Sequence, residues 1–234
     1  MNNNAKGQDE QRILVIGGCG TALNIAEAVV DANKRYAHAQ RFMGFLIDDP
    51  LLGTQINGFP ILGRTSDAQK MAEEGFKLIF ALYKPSEMAA RVMLFRRLGI
   101  TSDMLACFVH PSASVMPSAK LGAGVVVLPS AMVASNASIG MATIVNSSVV
   151  VEHDSRLGAH NFLAAGAVIG SSVTVGDGNF VGLNACIREN VVIGDYNFIG
   201  MGSVVLSDLP SHDLVYGCPA KSHQCNFGGS HACR

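Results

Sequence analysis

The chain changes its apolar rhythm once. From Val109 to Val205 an aliphatic residue recurs every six positions without a slip. Written in sixes, the stretch reads VHPSAS, VMPSAK, LGAGVV, VLPSAM, VASNAS, IGMATI, VNSSVV, VEHDSR, LGAHNF, LAAGAV, IGSSVT, VGDGNF, VGLNAC, IRENVV, IGDYNF, IGMGSV, VLSDLP. The first place of each hexad is always Val, Leu or Ile. Glycine is frequent at the second place, as at Gly140, Gly158, Gly170 and Gly182, and a small residue or Asn at the fifth, as at Ala131, Asn161 and Asn179. A period of six matches neither the ~3.6 of a helix nor the ~2 of a simple strand. It matches a coil with three flat faces, aliphatic side chains stacked inside and small ones at the corners. The pattern predicts a parallel β-helix of hexapeptide repeats over residues 107–222, with between five and six coils. No inserted loop interrupts the run, so another part of the chain must supply the substrate platform.

Residues 12–106 carry a different pattern. RILVIGG is an apolar run ending in glycines, which predicts a strand and a tight turn. TALNIAEAVVDANKR has helical spacing at Leu23, Ala26, Val29 and Val30, and RFMGFLIDD is a second strand ending in two acids. TSDAQKMAEEG, KLIFALY and PSEMAARVMLFRRLG continue as helix, strand and helix. Strands alternating with helices predict a small parallel α/β sheet of Rossmann-like kind. Ligands on such sheets bind beyond the carboxyl ends of the strands. Two features fall there: the turn Gly17-Gly18-Cys19-Gly20-Thr21 and the pair Asp48-Asp49. A glycine turn that opens a helix offers free N–H groups to a phosphate, and two carboxylates suit ribose hydroxyls or a base N–H. The alternative is that the glycines only turn the chain and the acids only end a strand. GGCGTALN is not a clean dinucleotide fingerprint.

Composition narrows the function without naming it. Charges are few and balanced, with a formal net of −1, which argues against an electrostatic nucleic-acid or membrane-surface binder. MNNNAKGQDEQ (1–11) lacks an apolar signal core and no long apolar run follows, so a cytosolic protein with a disordered N-terminus is expected. The six cysteines follow no disulfide framework and are expected as free thiols. His223, Cys225, His231 and Cys233 match no standard zinc spacing, so residues 223–234 are expected as a flexible tail and no metal is expected.

A small Rossmann-like domain followed by an uninterrupted run of hexads resembles the bacterial hexapeptide-repeat sugar acyltransferases, whose β-helix is left-handed. The resemblance is strongest to the acetyl-CoA-dependent N-acetyltransferases of UDP-4-amino-4,6-dideoxy sugars, the bacillosamine branch. It spans residues 12–222 and is carried by Asn146-Ser-Ser-Val-Val-Val-Glu-His153-Asp154, the hexads after it, Gly217-Cys-Pro-Ala-Lys221 and Asp48-Asp49. It implies His153 as general base, Asp154 as its orienting acid and Asn146 near the sugar. It also implies that Gly17, Gly18, Gly20 and Thr21 hold a diphosphate and that Asp48-Asp49 read the uridine. Coenzyme A would lie in the groove between two β-helices of a homotrimer, each active site being shared. Departures from the family's usual pattern are Thr21, the stretch Ala81-Leu-Tyr-Lys84, and Phe162, where a further histidine is frequent.

The chemistry fits those residue types. Acetyl transfer to an amine needs a proton removed as the adduct forms, and an imidazole titrates near working pH. An adjacent carboxylate fixes its tautomer. Three hexads make a coil of eighteen residues, so Ser171 stacks on His153, and the N–H of Gly170 or Ser171 is the expected oxyanion donor. Gly182, Leu183, Met201 and Gly202 are expected one and two coils further on, along a pantetheine arm, with Phe162 also beside the cofactor and Lys221 on a phosphate. His160 is expected as a solvated corner. Three other functions compete with this one. A histidine-ligated metalloenzyme fails because the positions one coil from His153 are Ser135 and Ser171. Sialic acid O-acetylation and non-catalytic sugar-nucleotide binding remain as alternatives.

Overall fold

The computed structural model describes residues 10–223; the expected tail beyond His223 and the expected disorder of the first nine residues lie outside them. In the N-terminal part, β1 (Gln11–Ile16), β2 (Gln40–Leu46), β3 (Gln55–Ile56), β4 (Phe59–Gly63) and β5 (Lys77–Phe80) form one sheet in the order β3-β4-β2-β1-β5. All pairings are parallel except β3 with β4. That hairpin escaped the reading of periodicity. Its turn, Asn57-Gly58, has positive φ at both residues, which is the backbone that an Asn-Gly pair favours in a tight hairpin.

Strand β1 is apolar on both sides. Ile13 and Val15 face α1 (Thr21–Tyr36), while Leu14 and Ile16 face α2 (Ala68–Glu73) and α3 (Met88–Arg97). Burial on both faces is what a short parallel sheet requires. The buried stripe of α1 is Ala22, Ile25, Ala26, Val29 and Ala32. It runs one residue round from the expected spacing, so that Val30 is exposed.

The hexads form a parallel β-helix. One strand pair of each coil lies on each of three faces, and pairing is offset by eighteen residues, as in Met132↔Val150 and Val150↔Val168. The first face runs from Ser114–Val115 to Val204–Val205, the second from Lys120–Leu121 to Val192–Ile193, the third from Phe108–Val109 to Leu214–Tyr216. The first residue of each hexad points inward: Val133, Val151, Leu163, Ile169, Val181 and Ile187 are all in one buried cluster. The fourth residue takes a left-handed backbone at most corners, including Asn136, Asp154, His160 and Ser172. Glycine at the second place has a steric cause: a Cβ on Gly140 would stand 2.4 Å from the carbonyl carbon of Gly158 in the next coil. The regular offset ends in the last coil, where Phe198 pairs with Leu214 and Ile199 with Val215. The coil beginning after Val205 is therefore two residues short, and the hexad Val205–Pro210 marks the place.

The two parts share their cores. Phe108, Val126, Leu128 and Ile144 of the third face lie in one apolar cluster with α1 and β1, and Ala142 lies in the other with Phe80 and Phe95. Polar ties flank this seam. Tyr83 Oη donates to the Ala142 carbonyl at 2.6 Å, and His110 Nε2 stands 3.3 Å from Asp31 Oδ2 of α1. The N-terminal domain thus packs on the early coils of the third face and leaves the corner between the first and second faces open.

Because each coil rests on its neighbours alone, a cavity in one coil weakens the stack locally. Leu163→Ala, at a site with no solvent exposure, is expected to cost about 2–5 kcal/mol, read as a lower urea midpoint.

Candidate active site

His153 and Asp154 occupy the corner after the strand Val150–Val151, between the first and second faces. Both are exposed. Asp154 reaches the left-handed φ of 62° that this corner demands, and an acid tolerates it better than a bulky residue. The turn swings its carboxylate onto its neighbour's ring: His153 Nδ1 lies 2.7 Å from Asp154 Oδ2. Asn136, one coil earlier, donates to Asp154 Oδ1 at 3.0 Å. The hydrogen bond with His153, and then that from Asn136, hold the Asp154 carboxyl below the usual carboxylate range. An ionised Asp154 requires the proton on Nδ1, so Nε2 is the basic nitrogen. Ser171, one coil later, brings its Oγ to 3.0 Å from that nitrogen.

Of the two expected oxyanion donors, one is already used. Gly170 N–H donates to the Ile187 carbonyl at 2.9 Å in the coil-to-coil ladder. Ser171 N–H has no acceptor among the described residues. Gly170 is held to glycine by the next coil, since a Cβ there would lie 2.6 Å from Glu189 N.

The remaining expected residues lie elsewhere on the prism. Asn146 stands at the corner between the third and first faces, 8% exposed, with Nδ2 donating to the Leu163 carbonyl at 2.7 Å. It lines a cavity of about 340 Å³ with Asn24, Glu27 and Asp31 of α1 and with His110. Gly182, Leu183, Met201 and Gly202 share that third-to-first corner, higher up the stack. They do not continue the line above Ser171, because 183 and 201 differ from 171 by 12 and 30, neither a multiple of the eighteen-residue coil. Leu183 and Met201 are well exposed there, 48% and 74%. Phe162 is on the third face, stacked on Phe180 at 5.2 Å between ring centroids and edge-on to Tyr83. Lys221 is exposed in the final strand Lys221–Ser222, which pairs with Leu214–Tyr216. Among the described residues no three His, Cys, Asp or Glu side chains converge as metal ligands would.

At the carboxyl ends of β1 and β2 the glycine turn and the acidic pair are neighbours. A Cβ on Gly18 would meet Ile47 at 2.6 Å. Gly20 has a left-handed φ of 69° and no side chain caps the first turn of α1, which begins at Thr21; an uncapped first turn leaves N–H groups without an intrahelical partner. Asp48 is more occupied than expected. Its carboxylate accepts from the N–H and hydroxyl of Thr65, with Arg64 Nε 3.7 Å away. Asp49 accepts from Leu51 N–H at 2.9 Å through one oxygen. Both border a cleft of about 360 Å³ with Gly53 and Arg64.

His160 is not the solvated corner expected of it. It is 4% exposed, lying under Phe95 with ring centroids 4.6 Å apart and with Nδ1 3.1 Å from Tyr83 Oη. The hexad spacing placed it at a corner; only the docked domain buries it. Burial pushes its pKa down to about 4, with Asp177 opposing and Arg96 adding to the shift. Burial also pushes the Tyr83 phenol well above its usual value. The His160 ring is thus neutral in the fold but protonates near 6.5 when the chain unfolds. Its contribution to stability is complete above about pH 6.5 and is lost as the pH falls towards about 4, on the order of 3 kcal/mol in all. The thermal midpoint of wild type is expected to fall more steeply through that window than that of His160→Gln.

No family model matches the sequence, and no curated protein does. Solved structures do. The acetyltransferase domain of PglB from Neisseria gonorrhoeae FA1090, solved in complex with acetyl coenzyme A, superposes with a TM-score of 0.78 at 29% identity over 92% of this chain and 100% of that one. PerB from Caulobacter crescentus, solved in complex with CoA and GDP-perosamine, superposes with a TM-score of 0.75 at 30% identity, over 91% of this chain and 97% of that one. WeeI from Acinetobacter baumannii AYE, at 23% identity and a TM-score of 0.73, shares the fold. With a Rossmann-like domain docked on a left-handed hexapeptide β-helix, and with those likenesses over nearly its whole length, the chain belongs to the hexapeptide-repeat sugar N-acetyltransferases.

Proposed function

We propose that the protein transfers the acetyl group of acetyl-CoA to the amine of a nucleotide-linked amino sugar, a UDP-linked 4-amino-4,6-dideoxy sugar, for surface glycan or glycoprotein synthesis. The observation that carries the reading is the oriented imidazole of the exposed His153, with Asp154 at 2.7 Å on one nitrogen and the other, basic nitrogen 3.0 Å from the Ser171 hydroxyl. PerB and the PglB domain, solved with CoA or acetyl coenzyme A, support the donor. A second reading, a GDP-linked 4-amino sugar, is favoured by the likeness to PerB, solved with GDP-perosamine.

His153 Nε2 takes the amine proton as nitrogen attacks the thioester carbonyl, and Asp154 stabilises the imidazolium so formed. The free N–H of Ser171 is the donor for the developing oxyanion. The thioester is already activated, so direct attack suffices. The diphosphate is assigned to the uncapped first turn of α1 at Gly17, Gly18, Gly20 and Thr21, and the base to the cleft beside Asp49, with Asp48 as its fixed wall.

Geometry argues that each site is shared between chains. The N-terminal domain lies on the third face, whereas His153 lies on the corner opposite that face. A nucleotide on the glycine turn therefore faces away from the base of its own chain. The first face offers an apolar outer row, with Met132, Val150, Val168 and Val204 half-buried among the described residues. A homotrimer packed there would bring His153 of the partner subunit towards the sugar side of α1 and Asn146. Exposed Leu183 and Met201 would then border the same groove, where a pantetheine arm has apolar contacts, with Lys221 reaching a phosphate.

Thiol release from acetyl-CoA is the test, run with UDP-, dTDP- and GDP-linked 4-amino sugars. One acceptor is expected to support turnover, and His153→Ala to lower kcat by about 10²–10⁴-fold. Turnover with no amino sugar in the panel would overturn the reading. Sedimentation equilibrium is expected to give three times the 24.6 kDa chain mass; a monomer fully active in the same assay would refute the shared site.

A further inference from the structure

Ser171 is more than a platform for its own backbone N–H. Its hexad position, the third, is also held by Asp177 and Asp195 on the neighbouring corner, and Ser211 reaches the equivalent place there through the shortened last coil. Each of those three side chains accepts the backbone N–H of the corner one coil earlier: Ala159 N–H to Asp177 at 2.7 Å, Asp177 N–H to Asp195 at 2.7 Å and Asp195 N–H to Ser211 at 2.8 Å. Ser171 makes no such bond. Its Oγ is turned instead to His153 Nε2 at 3.0 Å. With Nδ1 protonated by its contact to Asp154 at 2.7 Å, Nε2 has only a lone pair to offer, so the Ser171 hydroxyl is the donor. A hydroxyl within about 2.6–3.2 Å of a base that a third group orients is the arrangement of an activated nucleophile. The serine's own N–H, free of any acceptor among the described residues, lies where it would receive the oxyanion of an adduct on Oγ.

We propose that Ser171, His153 and Asp154 form a Ser-His-Asp triad that accepts the acetyl group when no amino sugar is bound, so that the protein is also a slow acetyl-CoA hydrolase acting through an O-acetyl-Ser171 ester. The inference rests on acetyl-CoA binding beside Ser171, as in the function proposed above. Ser171 Oγ bonds to the thioester carbonyl carbon and its proton passes to His153 Nε2. The carbon–sulfur bond breaks, and the CoA thiolate leaves with the proton from His153. Water then attacks the ester carbonyl and gives a proton to Nε2. That proton returns to Oγ as the carbon–oxygen bond breaks, releasing acetate. An acceptor amine enters by displacing the hydroxyl from Nε2, so the sugar suppresses the hydrolysis.

The experiment is acetyl-CoA alone with full-length protein, followed by thiol release, intact mass after acid quench, and peptide mapping. Saturable release is expected, with up to one added acetyl group per chain on Ser171. Ser171→Ala and His153→Ala are each expected to lose the adduct and to lower acceptor-free release about 100-fold or more. Ser171→Cys is expected to restore an acetyl adduct, now a hydroxylamine-labile thioester at the same position. Normal turnover with an amino sugar but no adduct and no acceptor-free release would overturn the triad and leave the transferase standing. So would an adduct mapped to another residue, or release that survives in a folded Ser171→Ala variant. Silence both with and without every amino sugar would overturn the transferase reading and the triad together.

Discussion

In the β-helix a backbone N–H reaches the carbonyl of the adjacent coil, as Phe162 does to Asn179 and Gly170 to Ile187. This ladder constrains everything else in the protein. It holds the coils before the shortened last one at eighteen residues, because one more or one fewer would turn every inward aliphatic outward on the following face. It brings successive corners so close that a second-place residue such as Gly140 has no room for a Cβ. It also requires a left-handed residue at the fourth place, where Asp, Asn, Ser and His recur. The candidate site is a by-product of the same stacking. Asn136, Asp154, His153 and Ser171 come from three successive coils and are joined only because the ladder superposes them.

The second constraint is the seam between the two domains. A triangular prism has three faces, and the N-terminal domain packs on the early coils of one of them, burying Phe108, Val126 and Ile144 against α1. That choice separates the glycine turn and the acidic pair of a chain from its own imidazole. Asn146 and the acidic flank of α1 border one corner, His153 another. A rigid prism cannot bring them together by bending, since each coil is held by both neighbours. The first face carries an apolar outer row, Met132, Val150, Val168 and Val204, that is only half-buried.

Much of this was legible in the residues. Seventeen aliphatic positions at one spacing leave no other fold, because only a three-faced coil buries all of them. Arithmetic on the same period set Ser171 over His153. What arithmetic missed came from contacts between elements distant in the chain. His160 has the hexad place of a solvated corner, yet Phe95 and Tyr83 of the other domain enclose it. Leu183 and Met201 were assigned by coil height alone, and their angular position puts them on a different corner. Asp48 looked like a free ligand at a strand end, but Thr65, seventeen residues on, has taken its carboxylate. The Asn57-Gly58 turn is readable from its residue types, but its strands are too short to show a period.

By itself, the sequence determined what local backbone geometry dictates: the period, the inward face, the glycine and left-handed corners, and the adjacency of His153 to Asp154. These depend on residues near in the chain or separated by a fixed repeat, so they survive without knowledge of the whole. The tertiary structure decided which polar groups remain free. It committed Gly170 N–H and Asp48, buried His160, and turned the Ser171 hydroxyl onto Nε2 rather than onto the next backbone N–H. A hydrogen bond has one donor and few acceptors, and which pair forms depends on every group within about 3 Å, a neighbourhood that only the folded chain creates.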